Sequence, residues 1–461
     1  MRVQQTVRDR DLSLQQSAIH QALAGNDSMK REEKENIELT ASRRAQTIAQ
    51  AKSEASAPST VGGGAPSPPA GGAADAMLGP LRNWTRQYST WDTRWIKPVW
   101  LYFKYYVISR LPPTYRNWRG YIRNDLDFGI IKHRLPSRCK VLLIGDWGTH
   151  MPDNAALLRQ AVKQFEPQAI IHLGDVYYSG TVEECTANVL NVMDETYKEI
   201  KPRPPFFAIP GNHDYYSGGK GFYYTIDTVN SGIPDCKQEA SFFCLRTEDD
   251  RWQFLGMDTG YNDRVPTDQL INPEGPDLHD DEMDWHKDKL EKFPGSTILL
   301  SHNQLISAKE QLSRQAPHYL NKKLYDKFAP YFDRVSAWYW GHEHSLILFE
   351  DDLAIEPGKP ALKKGRLLGC SAYEENVSEN PFAQKYVEAR FIKDMKQLGQ
   401  SAFKTGGASF YNHAFAVLEI APEQITATCY EYPSWGLDNP QSPDPPIGDS
   451  YHPETLSPRN A

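Results

Sequence analysis

The sequence predicts an α/β fold, and three observations carry that expectation. From Cys139 onward, apolar runs of strand length recur at Val141–Ile144, Ala169–Leu173, Phe206–Ile209, Gln253–Met257, Thr297–Leu300 and Val335–Trp340. Each gives way within two residues to glycine or a polar side chain, the pattern of buried strands that end at a sheet edge. Between the first two runs lies a helical pattern, Asn154–Phe165, and Asp146 and Asp175 stand 29 residues apart, about one βαβ unit.

The later runs Ser345–Phe349, Arg366–Gly369, Ala414–Ile420 and Gln424–Tyr430 read as hairpin strands of a second sheet. Residues 139–430 form the expected catalytic domain, with 29 basic against 42 acidic side chains. The tail 431–461 is acidic and holds seven prolines, so it is expected to be unstructured or draped over the surface.

The N-terminal third reads differently. Residues 1–80 balance 9 basic against 9 acidic side chains, with a thin apolar stripe through Ile37, Ala41, Ala45 and Ile48. They predict a polar helical arm, or a self-associating helix pair, followed by a Gly/Pro/Ser linker from Pro58 to Gly72. Residues 81–138 carry 12 basic against 3 acidic side chains, and Trp84, Tyr88, Trp91 and Trp95 recur at helical spacing. Packing of this basic aromatic-rich segment on the acidic body is the favoured reading, and peripheral contact with an anionic membrane surface is the alternative. Nucleic acid is not an expected partner of a chain whose net charge is −8.

No stretch approaches the roughly 20 apolar residues of a spanning helix, and the first residues lack the apolar core of a secretory signal. A cytoplasmic location is therefore expected. The six cysteines show no CxxC pair and read as free thiols, with a Cys236–Cys244 bridge as the alternative in an exported chain.

The chemistry gathers where strands end. Gly145-Asp146-Trp147-Gly148, Gly174-Asp175-Val176-Tyr177-Tyr178, Gly211-Asn212-His213-Asp214, Ser301-His302 and Gly341-His342-Glu343-His344 each follow an apolar run. Alone, each is a common turn or a surface histidine. Together they bring carboxylates, a carboxamide and imidazoles to one sheet edge, a donor set suited to borderline and hard cations.

In order and content these blocks resemble the binuclear metallophosphoesterase (calcineurin-like) superfamily, and within it the purple, tartrate-resistant type of acid phosphatase. The resemblance covers about residues 140–430 and implies a four-layer α-β-β-α sandwich, with a disordered or helical N-terminal extension outside it. It implies a first metal held by Asp146, Asp175, Tyr178 and His344, and a second held by Asp175, Asn212, His302 and His342. It also implies that His213, oriented by Asp214, faces the substrate. Many superfamily members have histidine where this chain has Gly148, and Tyr178 is expected to fill that vacancy. A phenol, with its pKa of about 10, ligates well only to a strongly charged ion, so Fe(III) with Zn, Mn or Fe(II) is the expected pair.

The function implied is hydrolysis of a small phosphate ester by in-line attack of a metal-activated water, with phosphomonoesters preferred. Phosphodiester or nucleotide pyrophosphate hydrolysis is the runner-up, and Trp147, Tyr177, Tyr215 and Tyr216 are candidates to stack a base or sugar. An adaptor with a vestigial metal site is the non-enzymatic alternative.

Overall fold

Alternation along one strand decides the layers. In the computed structural model, Val141 and Leu143 point into one apolar core, Leu142 and Ile144 into another, and all four are sealed from solvent. A strand with both faces apolar belongs inside a layered domain rather than on its surface.

The structure describes residues 112–459 apart from 122–124, 178, 199, 264–275, 314–315, 372–376, 378–390, 397, 406–407, 436–440 and 452. The helical arm, the linker, the aromatic stripe through Trp95 and the position of Tyr178 lie outside the described residues. Strands in chain order are β1 (Ile130–Leu135), β2 (Cys139–Ile144), β3 (Ala169–His172), β4 (Phe206–Ala208), β5 (Phe243–Thr247), β6 (Trp252–Gly256), β7 (Ser296–Ser301) and β8 (Val335–Trp340). They continue with β9 (Leu346–Phe349), β10 (Gly365–Leu368), β11 (Ile392–Lys396), β12 (Gln400–Thr405), β13 (Ala408–Tyr411), β14 (His413–Ile420), β15 (Ile425–Tyr432) and β16 (Glu454–Leu456).

Two large sheets build the domain, an eight-stranded one in the order β1-β5-β6-β7-β8-β10-β9-β11 and a six-stranded one in the order β16-β15-β14-β2-β3-β4, and β12 and β13 pair as a separate two-stranded ribbon. Val141, Leu143 and Ile171 from one sheet meet Phe254, Ile298 and Leu300 from the other in the central core. The outer face of the larger sheet packs Leu299 and Trp338 against Trp285 and Leu290 of the helix Asp280–Lys292, and Leu324 and Phe328 of the helix Lys322–Phe328. Beyond the smaller sheet, Leu142, Ile144 and Ile170 meet Leu157 and Leu158 of the helix Pro152–Phe165 and Phe222 and Ile226 of the helix Lys220–Thr228. The result is the expected four-layer α-β-β-α sandwich.

Three expectations are corrected. The domain does not start at 139: β1 pairs in parallel with β5, and Trp118 Nε1 donates to the Asp281 carbonyl at 2.6 Å. Arg116 forms a two-pronged bond with Asp227 at 2.8 and 2.6 Å, so from residue 112 the basic segment packs on acidic partners in the body. The tail is structured in part, because β16 pairs antiparallel with β15 and extends the smaller sheet. The late runs also divide: β9 and β10 join the larger sheet, whereas β14 and β15 form a hairpin beside β2. Runs apolar on both faces do not reveal which sheet they enter.

All six cysteines are free thiols. Among the described residues, no helix is long and apolar enough to cross a membrane.

Candidate metal centre

The strands β2, β3 and β4 run parallel, as do β7 and β8, so their C-terminal ends open at one edge of each sheet. Asp146, Asp175, Asn212, His302, His342 and His344 all follow those ends. Asp146, Asp175 and His342 adopt φ values of 56, 70 and 73°, a left-handed backbone that side chains other than glycine rarely hold. Such turns swing a side chain back over the strand end instead of along it. Gly211 shows how tight the gathering is, since a Cβ there would fall 2.0 Å from Asp175 Oδ1.

The densest cluster surrounds His302. Its Nδ1 lies 2.9 Å from the Leu173 carbonyl, which only accepts, so Nδ1 carries the proton and Nε2 offers a lone pair. That Nε2 faces Asn212 Oδ1 at 3.1 Å, His342 Nδ1 at 3.2 Å and Asp175 Oδ1 at 3.4 Å. Asn212 is oriented in turn, because its Nδ2 donates to Tyr216 Oη at 2.7 Å and leaves Oδ1 pointing inward, 3.1 Å from His342 Nδ1. Burial pushes the His302 imidazole down to about 3, which favours its neutral form. Lone pairs gathered in a buried site are suited to a cation, and the donor set fits one.

The second group of donors centres on Asp146. Its Oδ1 lies 3.6 Å from His344 Nε2, and its Oδ2 accepts from the His342 backbone N–H at 2.9 Å. Burial would raise this carboxyl, but the His344 hydrogen bond and the three surrounding imidazoles outweigh it and hold it below the usual range. Asp175 goes the other way, driven well up by burial and by the Asp146 and Asp214 carboxylates. Two carboxylates this close are relieved by a proton on one of them or by a cation between them. The carboxylates of Asp146 and Asp175 and the imidazole of His302 offer donor atoms that all lie within 4.8 Å of one another. Tyr177 adds a phenol that the sequence reading placed only as a stacking candidate: its Oη is 3.0 Å from Asp146 Oδ1 and 3.0 Å from His344 Nε2.

Other site expectations change. His213 is buried beside the cluster, its Nε2 3.9 Å from Asp175 Oδ2, but Asp214 does not orient it. The Asp214 Oδ2 accepts from the backbone N–H groups of Gly211 and Asp175 at 2.8 and 3.0 Å, while Oδ1 has no partner. Asp214 therefore ties the Asn212 turn to the Asp175 turn. Trp147, Tyr177 and Tyr215 are buried to within 1% exposure and cannot stack a substrate; only Tyr216 is half-buried.

Sequence reasoning missed the carboxylates behind His342. Its Nε2 lies 3.8 Å from Glu310 Oε2 and 4.0 Å from Asp263 Oδ2. Asn303 Nδ2 donates to Asp263 at 2.8 Å and Gln304 Nε2 donates to Glu310 at 3.1 Å, so the residues after His302 hold those acids. The signal was the run His302-Asn303-Gln304, in which three consecutive polar side chains are buried.

Comparison with known proteins agrees with this geometry. Residues 139–346 match the family model described as calcineurin-like phosphoesterase. The chain is similar to a protein of Arcobacter nitrofigilis named as a probable glycerophosphodiester phosphodiesterase, GpdQ, at 25% identity over 223 residues, 48% of this chain and 72% of that protein. Among solved structures it is similar to GAP50, described as the anchor in the inner membrane complex of Plasmodium, with 13% identity, a TM-score of 0.42, and coverage of 69% of this chain and 89% of that one. A hypothetical protein from Thermus thermophilus aligns with 14% identity and a TM-score of 0.32, over 64% of this chain and all of that one. The match over residues 139–346, which include all six of these candidate positions, together with the phosphodiesterase relative supports a metal-dependent phosphoester hydrolase of the calcineurin-like type.

Proposed function

We propose that this chain hydrolyses phosphomonoesters at a two-cation centre. Asp146 and His344 would hold the first ion, Asn212, His302 and His342 the second, and Asp175 would bridge them. The observation that carries this reading is the approach of His302 Nε2 to Asn212 Oδ1 and His342 Nδ1, three potential donor atoms for a cation at 3.1–3.2 Å from one another. When bound, two cations supply an activated water and neutralise the phosphoryl oxygens. Fe(III) beside Zn, Mn or Fe(II) would leave net positive charge after the two aspartates, which suits a dianionic monoester.

The chain's own groups do the rest. Tyr216 keeps the Asn212 carbonyl oxygen turned inward, and the Leu173 carbonyl fixes the His302 tautomer. His213 is the group suited to protonate the leaving oxygen, because its buried ring lies at the edge of the cluster with Nε2 3.9 Å from Asp175 Oδ2. A specific observation favours a second reading: Glu310 and Asp263 crowd His342 with negative charge, which lowers the advantage of a dianion and suits a singly charged diester.

The test is turnover of an aryl phosphate monoester against a bis-aryl diester by the metal-loaded chain. Faster monoester turnover supports the proposal, faster diester turnover selects the second reading, and no turnover of either overturns both.

A further inference from the structure

The phenol beside Asp146 belongs to Tyr177, two residues after Asp175, and the path of the backbone explains why. Gly148 and Val176 form a parallel bridge, and the Tyr177 N–H donates to the Gly148 carbonyl at 3.0 Å. A Cβ at position 148 would fall 2.9 Å from Val176 Cα, so the close approach of these two turns requires glycine there. Asn188 closes the arrangement by donating from Nδ2 to both the Tyr177 and Gly148 carbonyls, at 2.8 and 3.1 Å. A histidine at position 148 is thus excluded by packing, and the same packing delivers a phenol to the Asp146 side of the centre.

Asp146 Oδ1, His344 Nε2 and Tyr177 Oη form a triangle with edges of 3.0, 3.0 and 3.6 Å. Donors bound to one ion at about 2.1 Å lie about 3.0 Å apart at right angles and about 3.4 Å apart at tetrahedral angles. The triangle therefore has the dimensions of three ligands around a single ion. Tyr177 is 1% exposed, so its oxygen has no water-facing alternative. We propose that Tyr177, in place of Tyr178, is the phenolic ligand of the first cation. This inference rests on the two-cation reading above and sharpens it, since a phenol at this position selects a strongly charged ion.

The test uses the full chain, stripped of metal and reloaded with ferric citrate, with bound iron measured before the visible spectrum is read. Wild type and Tyr178→Phe are expected to show a phenolate-to-iron absorption band, and Tyr177→Phe is expected to lose the band while still binding iron through its carboxylates and imidazoles. A band that survives Tyr177→Phe or disappears in Tyr178→Phe overturns the inference, as does bound iron without a band in wild type. The Tyr178→Phe variant decides the matter even where Tyr177→Phe fails to fold. A wild-type chain that takes up neither iron nor any divalent ion refutes the two-cation reading itself, and the metal assay reports that separately.

Discussion

His302 Nε2 and Asn212 Oδ1 stand 3.1 Å apart, and His342 Nδ1 lies within 3.2 Å of both. One is the free lone pair of an imidazole whose other nitrogen is committed to the Leu173 carbonyl, and the other is a carbonyl oxygen turned inward by Tyr216. A cation seated between the two atoms would satisfy both lone pairs, and the proposed chemistry of the site follows from it.

His213 sits beside the centre without belonging to either ligand set. His213→Ala is expected to leave metal content unchanged and to lower turnover by about 10²–10⁴. Paired metal analysis and steady-state kinetics check this, and unchanged turnover removes the proton-donor role.

Glu310 and Asp263 lie behind His342, on the side of the ring away from Asn212. Carboxylates placed there help hold the imidazole in orientation. The double variant Glu310→Gln/Asp263→Asn is expected to weaken the second cation by about 10–100-fold and to spare the first. Competitive metal titration reads both affinities, and equal loss of the two ions contradicts the assignment.

A buried acid pair away from the ligands makes stability depend on pH. Tyr215 Oη donates to Asp258 at 2.5 Å, the Asp258 N–H donates to Glu282 at 2.8 Å, and His286 and Tyr115 also contact Glu282. Burial, with Glu282 nearby, pushes Asp258 up to about 7, and burial pushes Glu282 up to about 8. The native state keeps protons that the unfolded chain gives up near pH 4, so these groups remove stability as pH rises from there to about 8. Burial holds His286 down at about 3, which gives the opposite slope below about 6.5 and none above it. In metal-free protein between pH 6.5 and 8, Asp258→Asn/Glu282→Gln is therefore expected to flatten the fall in stability, by up to about 1.4 kcal/mol per pH unit for each group. Urea melts across that range test the sign.

Arg366 anchors the tail. It is 3% exposed and binds both carboxylate oxygens of Glu454 on β16, at 2.7 and 2.8 Å, together with Asp351 at 2.7 Å. Glu454→Ala leaves a buried guanidinium short of a partner, with an expected cost of about 3–5 kcal/mol. A melting temperature within a degree of wild type would show that β16 contributes nothing to the fold.

The clustered side chains were legible because each follows an apolar strand, with Asp146, Asp175, Asn212 and His342 directly after a glycine, a local signal that survives without tertiary information. Asp146, Asp175, Asn212, His302, His342 and His344 could be read that way. The approach of the Tyr177 phenol to Asp146 could not, because it depends on the bridge between Gly148 and Val176, a contact between two separate turns. Asp214 misled for a local reason: a carboxylate after histidine reads as its partner, yet the short helix Asn212–Tyr215 turns it back onto the Gly211 N–H. β1 was hidden in a basic segment whose charge dominated the reading, although its Ile131 and Leu135 reach the central core. The assignment of the late strands to sheets failed because residues buried on both faces carry no alternation to interpret.

Elemental analysis of the purified chain beside Asp175→Ala tests the central claim most directly. The account predicts about two bound ions per wild-type chain and about none in the variant, because the bridging carboxylate serves both. A metal-free wild type that still hydrolyses phosphate esters, or a fully loaded Asp175→Ala, would contradict it.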